Sequence, residues 1–183
     1  MVEAWLYNEE DPSDQREPHR YSPNRPVSMD ELDVLGVLRW AIHPSEPDAV
    51  ARVEQICKDR EYKNQDVIII SKEKLPNYEE KLKTFFTEHM HEDEEIRYLL
   101  EGSGYFDVRS PGDQWIRIAL KAGEMIILPA GMYHRFTLDS TNYLKCQRLF
   151  KEDPKWTPLN RSEETDKNSY RTSYVEAFIK TAA

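Results

Sequence analysis

The residues best suited to chemistry lie in one stretch, residues 89–104, with the sequence HMHEDEEIRYLLEGSG. His89 and His91 are separated by one residue, so on a β-strand their imidazoles point to the same face. Glu95 follows four residues after His91 and reaches a common ion if the chain turns between them. His134, in LPAGMYHRF, is a fourth candidate. Two or three neutral imidazoles and one carboxylate, with coordination positions left open, suit a redox-capable divalent metal that also binds substrate.

Taken singly, these features are weak evidence, because His-x-His pairs occur by chance and an acidic run is usually a solvated turn. A second motif strengthens them. Gly123, Pro129, Gly131 and His134 have the spacing Gly-x5-Pro-x-Gly-x2-His. In the first motif, Gly102 follows Glu95 after six intervening residues. Together the two stretches resemble the two metal-binding motifs of the cupin superfamily.

Two positions depart from the cupin pattern. Lys83 stands where the first motif usually opens with Gly, and Leu138 stands where the second usually closes with Asn. Neither position supplies a ligand, so the metal site is expected to be retained.

Length and charge limit the class of protein. The 183 residues predict one domain, 1–183, with a substantial core. The net charge of −9 and the lack of a basic cluster argue against a nucleic-acid partner. There is no signal peptide and no apolar run long enough to embed the chain in a membrane. Cys57 and Cys146 lack Cys-x-x-Cys spacing, which predicts reduced structural thiols and a reducing, intracellular compartment.

Residues 1–84 predict an N-terminal wrapping segment followed by helices. Residues 8–27 contain four prolines among polar residues, and His19 within them is interpreted as a surface histidine, since nothing near it has ligand spacing. Ser28 and Glu31 form a capping box. Periodicity then predicts a helix over 28–36, a strand over 37–42, a helix over 46–60, a short buried strand over 66–70 and a helix over 76–86.

Residues 85–151 alternate with period two, which is typical of antiparallel strands. The stretch IRYLLEGSGYFDVR predicts a strand, a tight turn at Gly102–Gly104 and a second strand, with four further strands after it. The fold class is therefore mainly β (α+β), a barrel or jelly roll of the cupin type with a few peripheral helices. Residues 152–183 predict a polar loop and a C-terminal helix.

Longer stretches resemble the acireductone dioxygenase family, in its eukaryotic form. PNYEEK, DEEIRY, GSGYFDVR and LPAGMYHRF are specific matches, and the resemblance runs from the N-terminal AWLY to the loop containing Trp156. It implies that His89, His91, Glu95 and His134 bind one Fe(II) or Ni(II) per chain, other divalent transition metals being compatible. The implied substrates are O2 and the acireductone 1,2-dihydroxy-5-(methylthio)pent-1-en-3-one of methionine salvage.

The resemblance also assigns residues that contact substrate. Arg97, two residues beyond the glutamate ligand and on the same strand face, would offer its guanidinium to a substrate oxygen, as the matching arginine does in the family. The alternative is a surface arginine paired with a neighbouring acid. Phe85, Phe106, Phe136 and Trp156 are candidates for an apolar wall around the methylthio tail, although aromatic residues in a barrel are more often core.

Products and context are likewise implied by the resemblance. Iron would give formate and 4-methylthio-2-oxobutanoate, and nickel would give formate, carbon monoxide and 3-(methylthio)propanoate. The eukaryotic form implies a location in cytoplasm and nucleus and allows a peripheral protein partner, and we expect a monomer. Two alternatives stay open at this point: a non-catalytic cupin that acts as a binding module, and a metal cupin with another substrate. The residues alone do not determine the native metal.

Overall fold

Ten β-strands form the body of the protein in the computed structural model, which describes residues 2–153 and 157–182. The strands are β1 (Glu3–Leu6), β2 (Leu38–Ala41), β3 (Asn64–Ile70), β4 (His89–Met90), β5 (Glu95–Arg109), β6 (Trp115–Lys121), β7 (Glu124–Leu128), β8 (His134–Leu138), β9 (Leu144–Phe150) and β10 (Leu159–Asn160). The helical elements are α1 (Met29–Val34), α2 (Ala49–Asp59), α3 (Tyr78–Phe86), a 3-10 turn (Thr165–Lys167), α4 (Ser169–Tyr174), a π-helical turn (Val175–Ile179) and α5 (Lys180–Ala182). The described strands pair antiparallel, which confirms the mainly β class with peripheral helices.

Strand β5 organises the fold, because it belongs to two sheets. One sheet has the order β1-β6-β5-β8-β4-β10, and the other has the order β2-β7-β5-β9-β3. Early in β5, Arg97 lies opposite Ile126 of β7, whereas later Phe106 lies opposite Ile118 of β6. Apolar residues from both sheets meet in one core cluster. The candidate site lies at the end of this core where β5 begins.

The prediction of a tight turn at Gly102–Gly104 is wrong, because β5 runs through these residues without a break. Gly102 has a φ of +75°, and a Cβ there would lie 2.2 Å from the carbonyl oxygen of Tyr143. The pairing with β9 shifts register between Leu99 and Glu101. A glycine and a bulge at this point let one strand bend from the first sheet into the second.

Three strands from the first 84 residues extend the sheets at their edges. β1 pairs with β6, β2 with β7 and β3 with β9. The strand predicted over 66–70 is present, but its description as buried is wrong: Ile70 is buried, whereas Val67 is 54 % exposed. An edge strand with one face on the core alternates in this way. The division of the chain at residues 84 and 151 stays a prediction.

Local signals correctly place the helices. The Ser28 hydroxyl accepts the N–H of Glu31 at 3.2 Å, and the Glu31 carboxylate accepts the N–H of Ser28 at 2.8 Å, so the predicted capping box opens α1. Helix α2 begins after residue 46, since the Glu46 carboxylate instead accepts the N–H of His43 at 2.9 Å in a preceding turn. No helix in the described part of the chain is long and apolar enough to cross a bilayer.

His19 is buried, which contradicts its interpretation as a surface histidine. Its ring stacks on Tyr7 with 4.5 Å between centroids, and its Nε2 lies 2.9 Å from the carbonyl oxygen of Asp14. The N–H of Asn8 donates to the His19 carbonyl at 2.8 Å. The wrapping segment therefore folds back on itself around His19.

The predicted C-terminal helix packs its apolar side on the core. Tyr174 is buried and donates its hydroxyl to the carbonyl of Leu35 at 3.2 Å. Phe178 and Ile179 are half-buried against the same cluster. The helical spacing read from the sequence is thereby confirmed.

A buried ion network joins the N-terminal segment to the sheets. The Asp107 carboxylate accepts from Arg117 Nε at 2.8 Å and Nη2 at 3.0 Å, and from Arg135 Nε at 2.8 Å. Arg117 is fully buried and also donates Nη1 to the carbonyls of Gln15 at 3.0 Å and Glu17 at 2.6 Å. Without the carboxylate, the charge of Arg117 would be uncompensated in the interior.

We expect Asp107→Ala to lower the free energy of unfolding by about 3–5 kcal/mol, because it leaves a buried cation without its partner. Urea denaturation of the metal-free protein measures this change. Asp33→Ala is the matched control, since it removes a carboxylate that is 58% exposed in its pair with Arg39 and should cost no more than about 1 kcal/mol. Equal effects of the two substitutions would contradict the role assigned to the network.

Candidate metal centre

Three histidines converge at the end of the core. His89 of β4 lies directly opposite His134 of β8, and their ring centroids are 4.6 Å apart. His91 lies just beyond β4, with its ring 5.0 Å from that of His89 and 5.4 Å from that of His134. One nitrogen from each ring falls within 4.8 Å of the others. Strand β4 is too short to include His91, but the two imidazoles of the His-x-His pair still face the same centre.

Backbone carbonyls fix the tautomers of two rings. His89 Nδ1 lies 2.5 Å from the carbonyl oxygen of Thr87, and His134 Nδ1 lies 2.9 Å from that of Met132. A carbonyl oxygen only accepts, so each Nδ1 carries the proton and each Nε2 keeps its lone pair. The Nε2 of His134 is buried without a hydrogen-bond partner among the described residues. A cation at the centre of the three rings would satisfy it.

The charge state of the histidines also suits a metal. Burial lowers the pKa of His89, and burial together with neighbouring His89 lowers the pKa of His134 to about 3. Both imidazoles are therefore neutral near pH 7, which is the state that binds metal ions.

Glu95, the fourth predicted donor, lies beside the three histidines at the first residue of β5, although its carboxylate oxygens do not fall within 4.8 Å of all three ring nitrogens. Its Oε2 lies 3.6 Å from His91 Nε2, and its Oε1 lies 2.8 Å from Arg97 Nη2. Burial opposes ionisation of Glu95, but the charge of Arg97, with smaller effects from the histidines, outweighs it and lowers the pKa to about 2. Neutral imidazoles beside an ionised carboxylate form a donor set that fits a divalent transition metal.

Arg97 points into the same cavity as Glu95, as expected from their two-residue spacing. Its Nη2 bonds to Glu95 and its Nη1 donates to the carbonyl of Ile96 at 2.9 Å. The side chain of Arg97 is largely buried, so it is not the surface arginine of the alternative interpretation. The pairing with an acid is nevertheless real, and that acid belongs to the donor set.

The turn between the His91 and Glu95 donors is anchored from outside the site. Glu94 accepts from Arg60 Nη2 and from the Tyr62 hydroxyl, both at 2.6 Å. Glu92 accepts from Asn168 Nδ2 at 2.8 Å. These anchors could not be predicted from the sequence, because an acidic run gives no sign of partners that lie far along the chain.

The donors open onto a cavity of about 150 Å³. Phe85, Phe106 and Phe136 line it, with ring centroids 6.1 Å apart for Phe85 and Phe136 and 5.1 Å apart for Phe106 and Phe136. Trp156, the fourth predicted aromatic, lies outside the described residues. The three phenylalanines thus combine the two roles left open by the sequence, since they pack together and also face the cavity.

Further apolar residues of the cavity wall were not selected from the sequence. They are Ile68, Ile70, Leu99, Leu144 and Cys146. Leu99 was within reach of prediction, because it continues the alternation of Glu95 and Arg97 along β5. Burial raises the pKa of the Cys146 thiol to about 11, so this group stays protonated and acts as an apolar wall. Both cysteines are free.

Comparison with known proteins gives matches over the full chain. Residues 3–158 match the model of the ARD/ARD' family. The chain is 53% identical to the acireductone dioxygenase of Rattus norvegicus and 50% identical to that of Homo sapiens, each over 182 residues and 100% of both chains. It is 51% identical to acireductone dioxygenase 1 of Physcomitrium patens over 180 residues, 98% of this chain and 91% of the relative.

A solved structure supports the fold. The acireductone dioxygenase from Bacillus anthracis with a cadmium ion in its active center superposes with a TM-score of 0.68 at 24% identity, covering 87% of this chain and 98% of the other. This likeness confirms the cupin fold expected from the two motifs. With a family model over most of its length and relatives at half identity from end to end, the chain belongs to the acireductone dioxygenase family and is an oxygen-incorporating oxidoreductase.

Proposed function

We propose that the protein cleaves 1,2-dihydroxy-5-(methylthio)pent-1-en-3-one with O2 in methionine salvage, using one divalent metal held by His89, His91, Glu95 and His134. The observation that carries the proposal is the convergence of three imidazoles on the wall of an apolar cavity, with a buried carboxylate next to one of them. The two alternatives, a non-catalytic module and a metal cupin with another substrate, are disfavoured by full-length identity to named acireductone dioxygenases.

Iron(II) or nickel(II) held by these residues would supply Lewis acidity toward the two oxygens of the enediolate substrate. Cobalt and manganese are compatible with the same donors, since imidazole and carboxylate accept all four metals. Glu95 contributes the single negative charge of the donor set. His89 and His134 contribute neutral nitrogens whose orientation is fixed by the Thr87 and Met132 carbonyls.

Arg97 is proposed to bind an anionic oxygen of the substrate. Its bonds to Glu95 and Ile96 leave further guanidinium hydrogens on the cavity side. An arginine held on two sides is preorganised, so it orients the substrate without reorganising during the reaction. The same contact keeps Glu95 ionised.

The three phenylalanines are proposed to hold the methylthio tail and to exclude water from the reacting atoms. Their apolar surface cannot form hydrogen bonds with the substrate. The polar groups near the histidines therefore set its orientation. Cleavage with iron would give formate and 4-methylthio-2-oxobutanoate, and with nickel formate, carbon monoxide and 3-(methylthio)propanoate. In both cases the products contain all atoms of the substrate and both atoms of O2.

The cellular context also stays a proposal. We place the reaction in the cytoplasm and nucleus, with the protein as a monomer and with room for a peripheral protein partner, on the strength of its resemblance to the eukaryotic family members. The proposed partners, a small-molecule substrate and O2, are those that a dioxygenase requires.

The double substitution His91→Ala/His134→Ala should abolish binding of about one metal ion per chain, because it removes two of the four donors. Elemental analysis of the purified variant measures the metal content. The variant should also lose metal-dependent stabilisation, about 4 kcal/mol when free metal exceeds Kd a thousandfold. The exposed His43→Ala is the control and should retain the ion. Full metal retention in the double variant would refute the assignment.

Arg97→Ala should keep the metal and reduce kcat/KM for acireductone by about 10²- to 10³-fold, the usual effect of removing one preorganised donor to a developing charge. Arg97→Lys should restore little, because an ammonium lacks the bidentate geometry of guanidinium. Steady-state O2 uptake measures both, with the exposed Arg52→Ala as control. Near-normal kinetics in Arg97→Ala would show that the residue serves only to pair with Glu95.

Exchanging the metal should change the products while the fold is unchanged. Apo-protein reconstituted with iron(II) should release the keto acid, and the nickel(II) form should release carbon monoxide, since the donors accept both ions and the choice of bond then depends on the metal. Chromatography with headspace gas analysis identifies the products, and elemental analysis verifies each metal. Identical product mixtures from the two forms would rule out the switch.

A further inference from the structure

We propose that a second cavity, lined by Arg109, Arg161 and Arg171, binds the carboxylate group of a short-chain organic acid. The cavity has a volume of about 270 Å³ and lies between the loop joining β5 to β6, the turn before β8 and the C-terminal helix. None of the metal donors lines it. The inference therefore does not depend on the proposed reaction.

The guanidinium of Arg171 is incompletely bonded. It lies over the ring of Tyr133, 4.2 Å from the centroid, and its Nη1 donates to the carbonyl of Gly131 at 3.1 Å. Its Nε and Nη2 have no hydrogen-bond partner in the described part of the chain. The side chain is half-buried, so part of its hydration is lost as well. Donors in this state are available to an anion that enters the cavity.

Among the described residues Arg171 also forms no ion pair, which sets it apart in this acidic protein. Within residues 2–153 and 157–182, every other arginine that is not fully exposed forms an ion pair with a carboxylate. The nearby carboxylate of Asp166 is bonded to the Tyr133 hydroxyl at 2.6 Å and makes no ion pair with Arg171. The ring of Tyr133 holds the guanidinium in place, and a carboxylate that enters the cavity can form charge-assisted hydrogen bonds with its free N–H groups.

The charges around the cavity favour a monoanion. Arg109 and Arg161 both contact Glu88, at 2.8 and 2.9 Å, and Arg161 also contacts Asp113 at 2.8 Å. Glu88 and Asp113 thus neutralise two guanidiniums, and Asp166 offsets part of the charge of Arg171 without forming an ion pair with it, so no more than one positive charge remains. A carboxylate matches this single charge and the planar shape of guanidinium. A phosphate, with a charge of about −1.5 to −2, would exceed it and would face Asp113.

The rest of the wall is apolar and indicates what the carboxylate is attached to. Pro111, Met132, Val175 and Ile179 line the cavity beside the arginines. A small site with apolar walls and a few convergent donors suits a ligand with one charged end and a short hydrocarbon chain. Butanoate is the simplest probe with both features.

Amide NMR of the full-length protein, loaded with diamagnetic zinc, tests the proposal. Sodium butanoate is titrated against sodium chloride at constant ionic strength. We expect saturable shifts at Ser110, Tyr133 and Val175. Arg171→Met should weaken this binding by about tenfold or more, the loss expected for a charge-assisted hydrogen-bonded pair. Arg25→Met is the matched control, because Arg25 is exposed and has no acidic partner, and it should bind as the unchanged protein does.

Three outcomes would overturn the proposal: shifts confined to the surroundings of Arg97, undiminished binding by Arg171→Met, and tighter binding of inorganic phosphate than of butanoate at the same amides. If Arg171→Met does not fold, Arg171→Lys replaces it. Lysine keeps the charge and loses the planar pair of donors, so binding should still weaken, and binding equal to that of the unchanged protein would again overturn the proposal.

Discussion

The ionised carboxylate of Glu95, buried beside neutral imidazoles, is the constraint on which the site depends. A buried charge is costly unless an opposite charge and hydrogen bonds compensate it. Arg97 supplies that charge from two residues along the same strand, at 2.8 Å. The Thr87 and Met132 carbonyls accept hydrogen bonds from the Nδ1–H groups of His89 and His134, which would otherwise be unsatisfied. One nitrogen of each of the three histidines faces a common centre, and the carboxylate lies beside it. The side chains are therefore arranged to receive a cation.

Strand β5 provides both the site and its support, and the bulge in the strand makes this possible. Before the bulge, Arg97 and Leu99 face the cavity. Beyond the register shift the alternation is reversed, so Phe106 faces the same cavity and Asp107 faces the other side. There Asp107 binds two arginines and holds the N-terminal segment. One strand thereby carries residues that face the cavity and residues that hold the fold together, without placing the two groups of charges in contact.

Distant segments complete both cavities. The end of α2 and the residue that caps α4 hold the acidic turn between the donors, through Glu94 and Glu92 respectively. The same C-terminal helix carries Arg171 over Tyr133, next to the strand that begins with His134. A Cβ at Gly131 would lie 2.2 Å from the Tyr170 carbonyl oxygen. This close packing means that the C-terminal helix belongs structurally to the region around the metal centre.

The sequence by itself determined the features that depend only on residue type and on short spacings along the chain. The metal-binding chemistry was predicted from two histidines separated by one residue and a glutamate four residues after the second. The capping box of α1 and the apolar side of the C-terminal helix were equally local. Tertiary structure decided the features that depend on partners far along the chain. It made β5 continuous, because the space beside Gly102 is filled by the backbone of Tyr143, just before β9. It buried His19 by folding a polar segment back on itself, and it left Arg171 without an ion pair among the described residues. Alternation and spacing describe the backbone within a few residues, whereas burial and ion pairing are set by which segments the fold brings together.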